Sequence, residues 1–357
     1  WSFSRRMSAS TTLLRLTFEA LHRTGAAVAL RPWAQGLGVI FCMHSVRPAV
    51  AAPDGFSPNS GLSSTPEFLD AALTMLQAAG YEFLSLDDAL LRIAGKTQSL
   101  RPFAVFTLDD GYRDNLVHAL PVFAKHDCPF LVYVAPGFVD GSAEMWWLAL
   151  ERMIAAGSGE ISMPGASAVL DGSAAAKAKA WGALAPTLQA MPEHVQRQWV
   201  REACERHCID LRQMCRDLIM DWNEVRRMAE HPLATIGAHT NNHFAVSRLP
   251  EDQARAEIAD SGQRLQRELQ RPVRHFAFPY GNVGHAGPRE FRMAAEAGYA
   301  SAVTTRMGAV YADHAAHFHG LPRVMVSSKY DRMRWLKVLA SGLPGRISNM
   351  GRRLNVG

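Results

Sequence analysis

Four short motifs in this chain of 357 residues together carry the groups that a metal-dependent hydrolase needs. In chain order they are Cys-Met-His-Ser at 42–45, Thr-Leu-Asp-Asp-Gly-Tyr at 107–112, His-Thr-Asn-Asn-His at 239–243 and Phe-Pro-Tyr-Gly at 278–281. They supply two adjacent carboxylates, two imidazoles spaced one helical turn apart, a rigid backbone corner and a spare histidine, His44. A divalent metal with open coordination positions needs two histidines and a carboxylate, while hydrolysis needs a second carboxylate as base and another group as acid. The residue types therefore predict metal-dependent hydrolysis.

Each motif directly follows a short apolar run, and these runs alternate with helical patterns. Such alternation indicates a mostly parallel sheet with crossover helices. The predicted strands are 39–43, 104–107, 130–134, 233–237, 275–278, 301–304 and 323–326. In a (β/α) barrel, the loops that follow the carboxyl ends of the strands carry the chemistry. We therefore expect the four motifs to meet at one mouth of an α/β barrel.

The chain is long and apolar enough, with 48% hydrophobic residues, to form one large barrel. We divide it into an N-terminal helical segment at 1–37, a barrel at 38–328 and a basic C-terminal helix and tail at 329–357. Between about 145 and 231 the pattern changes to long helical stretches joined by a Gly/Ser/Pro-rich section at 157–173. This part is predicted to be a helical insertion between barrel strands.

Composition limits the partners and the cellular location that can be predicted for the protein. The formal charge of +5 is modest, and no basic stripe interleaved with aromatic residues is visible, so a nucleic-acid partner is not predicted. The five scattered cysteines do not resemble a disulfide framework, and the N-terminal segment shows no convincing cleavage site. We therefore expect a cytoplasmic protein. The composition does not predict its oligomeric state.

Both ends of the chain carry basic amphipathic segments, at 11–32 and 329–353. Segments of this kind can lie on an anionic membrane, which would allow peripheral contact with its inner face. The alternative, which we favour, is that these segments are helices docked on the barrel.

Taken as an ordered set, the motifs resemble those of polysaccharide deacetylases of carbohydrate esterase family 4, the group that contains the nodulation-type chitooligosaccharide deacetylases. The resemblance covers roughly residues 38–326 without the insertion. It implies a distorted (β/α) barrel and the removal of N-acetyl groups from the amino sugars of a glycan or oligosaccharide.

The resemblance also implies roles for particular residues. Asp109 corresponds to the general base, and the metal ligands correspond to Asp110, His239 and His243. The metal would be Zn²⁺, with Ni²⁺ or Co²⁺ as alternatives. The backbone N–H of Tyr280 would help to hold the oxyanion.

Four further residues are predicted to contact the substrate: Tyr112, Pro279, Trp146 and Trp147. The two tryptophans could stack against sugar rings, and core packing is an equally good interpretation of them.

The general acid is left open, because the family's usual Leu-x-His motif is replaced here by Leu-Pro-Arg at 321–323. A subset of the family, resembling deacetylases of exported β-glucosamine polymers, takes the acid from a histidine at the end of the first strand. His44 fits that position, with His317 and His319 as rivals.

A second departure is Ala277, which stands where the family's third motif commonly has an arginine that braces the base. We hypothesise that Arg323, which follows a late strand, reaches the same carboxylate.

Alternatives remain for both the function and one side-chain cluster. The same barrel could hydrolyse a non-sugar amide, or the chain could be an inactive glycan-binding relative. Cys204, His207, Cys208 and Cys215 offer a set of structural zinc ligands, although free cysteines on one helix are the favoured interpretation. Our prediction is a metal-dependent N-deacetylase that acts on an amino-sugar-containing glycan or oligosaccharide.

Overall fold

The computed structural model describes residues 15–49, 55–326 and 332–356. Parts of the two predicted terminal segments, residues 1–14 and 329–331 together with 357, lie outside the described residues.

A parallel sheet of eight strands forms the centre of the fold. Seven strands follow the order β11-β10-β9-β6-β5-β1-β12, and β4 pairs with β5 outside this path. The strands of this sheet are β1 Gly38–Met43, β4 Glu82–Phe83, β5 Phe103–Leu108, β6 Phe130–Val134, β9 Ala234–Ala238, β10 His275–Ala277, β11 Ser301–Val303 and β12 Val324–Met325. The sheet curls into a half-barrel, which confirms the predicted distorted (β/α) barrel.

The central strands are readable in the sequence because both of their faces are covered. Every residue of β1, β5 and β6 is buried, and each strand is nearly continuous in apolar residues. Parallel strands covered by helices on both faces have this pattern. Two short strands, β2 Ser45–Val46 and β3 Ser63–Ser64, pair with each other just beyond the end of β1.

Helices connect the strands and cover the sheet. They are α1 at 15–23, α2 Ala26–Ala29, α3 Arg31–Ala34, α4 Pro66–Ala78, α5 Leu86–Ile93, α6 Leu120–Lys125, α7 Pro136–Val139, α8 Trp146–Ala156, α9 Ala174–Ala190, α10 Glu193–Arg206, α11 Leu211–Leu218, α12 Trp222–Glu230, α13 Glu251–Leu269, α14 Pro288–Glu296, α15 Met333–Ala340 and α16 Leu343–Ser348. A π-helical turn at Asn115–Ala119 precedes α6, and 3₁₀ turns lie at Pro58–Leu62, Val246–Arg248, Ala312–Ala316 and Phe318–Gly320.

Helices α4 and α12 begin with side-chain caps. The Thr65 hydroxyl accepts a hydrogen bond from the Phe68 amide at the start of α4. A capping box between Asp221 and Glu224 opens α12. Both arrangements satisfy backbone N–H groups that have no partner within the helix.

The segment between β6 and β9 contains α7 to α12 and packs around an apolar core of its own. The Gly/Ser/Pro-rich section, which is predicted above to join helices, is instead an antiparallel hairpin. Its strands are β7 Gly159–Met163 and β8 Ala166–Leu170. The hairpin buries three side chains in the core of the insertion, those of Ile161, Met163 and Leu170. The alternation of buried and exposed residues that is typical of a strand is therefore present, but it extends over only a few residues.

The described parts of the two ends dock on the barrel. Phe18 of α1 and Trp335, Leu336 and Leu339 of α15 are buried in the main core. Trp335 Nε1 donates a hydrogen bond of 3.1 Å to the Glu19 carboxylate, which ties the two ends together. No helix within the described ranges is long and apolar enough to cross a bilayer.

Trp335→Ala tests whether these ends are part of the folded core. Removal of a buried tryptophan should lower the free energy of unfolding by about 3 kcal/mol or more. Urea denaturation measures the change, and Met350→Ala serves as the control because Met350 is 80% exposed. Equal stability of the two variants would show that the C-terminal helix does not support the barrel.

Candidate active site

The carboxyl ends of four strands place the motif residues at one edge of the sheet. Asp109 and Asp110 follow β5, His239 follows β9, the Pro279-Tyr280 corner follows β10, and His44 follows β1. Because all these strands run parallel, the loops after them emerge on the same side. The predicted mouth is therefore present in the structure.

Asp110, His239 and His243 form a compact cluster of possible metal ligands. One ligand atom from each residue lies within 4.8 Å of the others, and all three side chains are buried. Asp110 Oδ1 lies 3.3 Å from His243 Nε2 and 3.6 Å from His239 Nε2. The same Asp110 oxygen has no hydrogen-bond partner in the described part of the chain, which is costly for a buried carboxylate. Two imidazoles and one carboxylate suit Zn²⁺, Co²⁺ or Ni²⁺, so the residues fit a divalent metal.

His239 is prepared to act as a ligand. Its Nδ1 lies 2.7 Å from the carbonyl oxygen of Ala277, which can only accept a hydrogen bond, so Nδ1 carries the proton and Nε2 keeps its lone pair. Burial lowers the pKa of His239 to about 4, although the charges of Asp109 and Asp110 oppose this effect. The imidazole is therefore neutral at physiological pH, as metal binding requires.

The two histidines lie on a loop and not on one turn of a helix. Thr240 and His243 have φ of 57° and 56°, in the left-handed region. Asp110 and Tyr280, with φ of 74° and 62°, share this conformation. Left-handed backbone at residues other than glycine is uncommon and is concentrated at functional sites. The site is thus built on turns that side chains must hold in place.

One support for the histidine loop comes from α13. The Glu257 carboxylate accepts hydrogen bonds from the backbone amide of Asn242 at 2.8 Å and from its side-chain amide at 2.6 Å. The Gly137 amide donates to the Asn241 carbonyl at 2.8 Å, and a Cβ at position 137 would clash with this oxygen. These contacts fix the loop between its two ligands.

A second support comes from the insertion. Arg197 of α10 is only 2% exposed, and its Nη2 donates to the His243 carbonyl at 3.2 Å. Glu193, one turn earlier, lies 3.5 Å from Arg197 and accepts from the Ala245 amide at 3.0 Å. Arg197 also donates to the Glu144 carbonyl. The insertion therefore holds the backbone of a metal-cluster residue.

Sequence reasoning missed Glu257, Glu193 and Arg197. The only local signal was the spacing of Glu193 and Arg197, which allows an ion pair on one helix face. Nothing in that spacing indicates the loop that the pair supports.

Arg323 reaches Asp109 in a fully buried bidentate pair. Its Nη1 and Nη2 each donate a hydrogen bond of 2.7 Å to a different oxygen of the carboxylate. The guanidinium also donates to Thr107 Oγ1 at 3.0 Å and to the Thr304 carbonyl at 2.8 Å. Burial by itself raises the pKa of Asp109, but the charge and the hydrogen bonds of Arg323 outweigh it and hold the pKa well below its usual range. Asp109 is therefore ionised.

His44 lies beside Asp109. A ring nitrogen of His44, a carboxylate oxygen of Asp109 and the sulfur of Cys42 lie within 4.8 Å of one another. His319 instead contacts the carbonyl of Tyr299, which precedes β11 at the opposite end of the barrel. His317 belongs to the same 3₁₀ region. The structure thus places His44 beside Asp109, the predicted base, and leaves His317 and His319 away from it.

The Tyr280 corner is tightly held. Its phenol accepts a hydrogen bond from Trp146 Nε1 at 2.8 Å, and its carbonyl accepts from the Thr305 hydroxyl at 2.5 Å. In the described ranges we find no acceptor for the Tyr280 backbone N–H. That N–H remains available to a ligand.

The remaining predicted substrate contacts are mostly buried. Trp147 packs against His243 with ring centroids 5.0 Å apart, and both tryptophans are less than 7% exposed, with values of 4% and 6%. Pro279 is buried as well, and Tyr112 is 5% exposed beside a cavity. The tryptophans therefore support the site residues through packing, and a direct contact with substrate stays a prediction.

The cysteine set in the insertion does not form a metal-binding group among the described residues. Cys204 and Cys215 are buried, whereas Cys208 is exposed. Cys204 lies on α10 and Cys215 on α11, so the expectation that these cysteines share one helix is wrong, although all three are free.

The comparisons with known proteins agree with the geometry. The polysaccharide deacetylase family model matches residues 187–301, which include both histidines and the Tyr280 corner. No curated protein sequence matches the chain significantly. Over these residues the predicted resemblance to polysaccharide deacetylases is confirmed.

Solved structures share the fold. Deacetylase PplD of Streptococcus pyogenes, in complex with acetate, has a TM-score of 0.55 at 17% identity and covers 84% of this chain and 97% of its own. IcaB from Ammonifex degensii has a TM-score of 0.53 at 18% identity and covers 86% and 98%. The BpsB deacetylase domain from Bordetella bronchiseptica has a TM-score of 0.51 at 18% identity and covers 82% and 97%.

Arg323→Met should destabilise the protein because it leaves the Asp109 charge buried without its partner. We expect the free energy of unfolding to fall by about 3 to 5 kcal/mol. The double variant Arg323→Met/Asp109→Leu should regain most of this loss, since no buried charge remains. Urea unfolding in the presence of a chelator measures both. A double variant as unstable as the single one would contradict the pairing.

Arg197→Gln should weaken metal binding by about tenfold or more, because the backbone of His243 loses its brace. Arg201→Gln is the matched control, since Arg201 also pairs with Glu144 from α10 but its side chain is 55% exposed. Competition with a fluorescent chelator gives the affinities, and circular dichroism verifies the fold. Equal zinc affinities in the two variants would show that the insertion does not position the loop.

Proposed function

We propose that this chain is a metal-dependent hydrolase that removes N-acetyl groups from an amino-sugar-containing glycan or oligosaccharide. The observation that carries the proposal is an ionised carboxylate, Asp109, locked beside a cluster of two histidines and a second carboxylate. Hydrolysis of an amide needs both groups, and each is held by its own contacts. The family match and the shared fold support the choice of an N-acetylated sugar as substrate.

Asp110, His239 and His243 would hold the divalent ion. When bound, such an ion supplies Lewis-acid polarisation of the amide carbonyl and makes a neighbouring water more acidic. We favour Zn²⁺, with Ni²⁺ or Co²⁺ as alternatives that the ligand set also suits.

Asp109 accepts the proton of the attacking water. Its lowered pKa makes it a weak base, so it is effective only toward a water whose own pKa has been reduced. Arg323 occupies one lone-pair direction on each carboxylate oxygen and fixes the plane of the group. The Cys42 thiol also donates to Oδ2 at 3.5 Å, so Oδ1 is the oxygen that would accept a hydrogen bond from the water.

The Tyr280 backbone N–H stabilises the negative charge that develops on the carbonyl oxygen. Its left-handed turn and the hydrogen bond from Thr305 fix its direction before substrate arrives. One donor of this kind is typically worth about 3 to 4 kcal/mol in the transition state.

His44 supplies the proton that the leaving amine needs. Its ring lies close to Asp109 on the side of β1, and its Nδ1 has no hydrogen-bond partner within the described residues. A histidine is suited to this task because imidazole changes its charge near neutral pH.

Cytoplasmic location and peripheral membrane contact remain predictions. Trp33 of α3 and Ile347 of α16 are exposed apolar side chains, which support a membrane contact. Fractionation of cells that produce the protein tests both predictions, since recovery in the membrane pellet that salt reverses is the result expected of a peripheral protein.

Asp109→Asn should retain the metal and lose at least about a hundredfold in kcat, because the proton acceptor is removed. The variant also leaves Arg323 without its anionic partner, so circular dichroism must first verify that it is folded. Asp110→Ala and His239→Ala should lose both metal and activity, because each removes a ligand. Elemental analysis of the purified variants and acetate release from N-acetylglucosamine oligomers give the two readouts. Stoichiometric metal in Asp110→Ala would contradict the proposed ligand set, and no acetate release by the zinc-loaded wild type would favour a non-sugar amide or an inactive relative.

A further inference from the structure

A cavity of about 230 Å³ opens beside the metal cluster, between the segment that follows β1 and the insertion. One wall contains Ser45, which directly follows His44, and Tyr112, which lies two residues after Asp110. The facing wall is formed by α8 and the end of α11, both in the insertion. The cavity is smaller than the sites that hold drug-sized ligands, so its size suits a single ring.

The interior of the cavity is polar and rigid. Asn59 Nδ2 donates to the Glu151 carboxylate at 2.8 Å and to the Trp147 carbonyl at 3.0 Å. On the other side, the Asp114 carboxylate accepts from the Ser45 hydroxyl at 2.5 Å and from the Val46 amide at 3.0 Å. These bonds fix the polar groups before a ligand arrives, which lowers the entropy that binding costs.

The charges in the cavity favour a neutral ligand rich in hydroxyl groups. Asp114 and Glu151 both line it. Carboxylates accept hydrogen bonds from hydroxyl groups and repel an anion. Arg47 and Arg152 line the same cavity, but both are exposed.

One part of the wall is apolar. Tyr112, Leu148 and Leu218 line the cavity and offer a surface for carbon-bound hydrogens. A site that combines a few fixed polar groups with an aromatic or aliphatic wall matches the two kinds of surface on a sugar ring.

We propose that this cavity binds a neutral sugar unit that adjoins the unit whose N-acetyl group is hydrolysed. The substrate is then an oligosaccharide or a polymer, and not a free monosaccharide. The inference rests on the proposed function, since His44, the proposed proton donor to the leaving amine, directly precedes Ser45 of the cavity wall. It also gives the insertion a second role, because α8 and α11 form the facing wall.

Two variants test the proposal in the zinc-loaded protein, Asn59→Ala and Glu151→Gln. The matched control is Glu160→Gln, because Glu160 is an exposed residue of the hairpin in the same insertion. Acetate release is measured with N-acetylglucosamine and with its tetramer. Binding of cellotetraose, a neutral oligomer with no acetyl group to release, is measured separately by calorimetry, which does not require turnover.

We expect the wild type and Glu160→Gln to prefer the tetramer. In each of the two cavity variants, the tetramer-to-monomer ratio of kcat/KM should fall by about tenfold through a higher KM for the tetramer, and the calorimetric affinity should fall by a similar factor. An unchanged ratio and affinity in folded cavity variants would overturn the proposal. Tighter binding of a uronic-acid oligosaccharide that depends on Arg47 or Arg152 would overturn it as well, because the ligand would then be an anion.

The experiment distinguishes a failure of the proposed reaction from a failure of the proposed sugar site. If the wild type releases no acetate from either sugar, the proposed reaction is wrong, and the calorimetric comparison still decides whether the cavity binds a sugar. If acetate is released and the cavity variants behave like Glu160→Gln, the reaction stands and the subsite is wrong.

Discussion

The buried ion pair between Asp109 and Arg323 is the constraint on which the site depends. Neither charge is tolerable alone at this depth, so the barrel must bring the two together in order to fold. Arg323 directly precedes β12, whose Val324 pairs with Phe41 in the middle of β1. Its side chain extends toward the end of β5, where Asp109 lies. It also binds the residue that follows β11, and β11 and β12 are the two ends of the strand order. The Arg323 side chain thus links both terminal strands of the curled sheet, β11 and β12, to Asp109.

The residues of the metal cluster lie on turns whose left-handed backbone conformation is energetically unfavourable unless other contacts hold it. Four of the eight described non-glycine residues with positive φ belong to the site, namely Asp110, Thr240, His243 and Tyr280. Hydrogen bonds from α10, α13 and the residues after β11 hold these turns. A preorganised site of this kind needs little rearrangement when charge develops, which is the source of electrostatic catalysis. The insertion is therefore part of the candidate site, because its Arg197 fixes the backbone of His243 and its α8 lines the adjoining cavity.

The sequence predicted the parts whose signals are local. Continuous apolar runs revealed β1, β5 and β6, and the residues after each strand revealed the site edge. The loop of His239 and His243 was not distinguishable from a helix, because four-residue spacing fits both and the positive φ of Thr240 has no side-chain signature. The hairpin in the insertion was missed because only three of its residues point inward, which is too few to show a clear alternation of apolar and polar residues. Glu257 accepts a hydrogen bond from a residue 15 positions away, and Arg197 donates one to a residue 46 positions away. No local sequence pattern indicates partners at such separations.

The claim that the rest depends on is that three side chains, distant in the sequence, share one divalent ion. Anomalous diffraction at the zinc absorption edge, from crystals of the zinc-loaded protein, tests it most directly. The account predicts one peak between Asp110, His239 and His243, at about 2.0 to 2.2 Å from one atom of each. A peak at Cys42 and His44, a peak in the cysteine set of the insertion, or no peak at the cluster would contradict it.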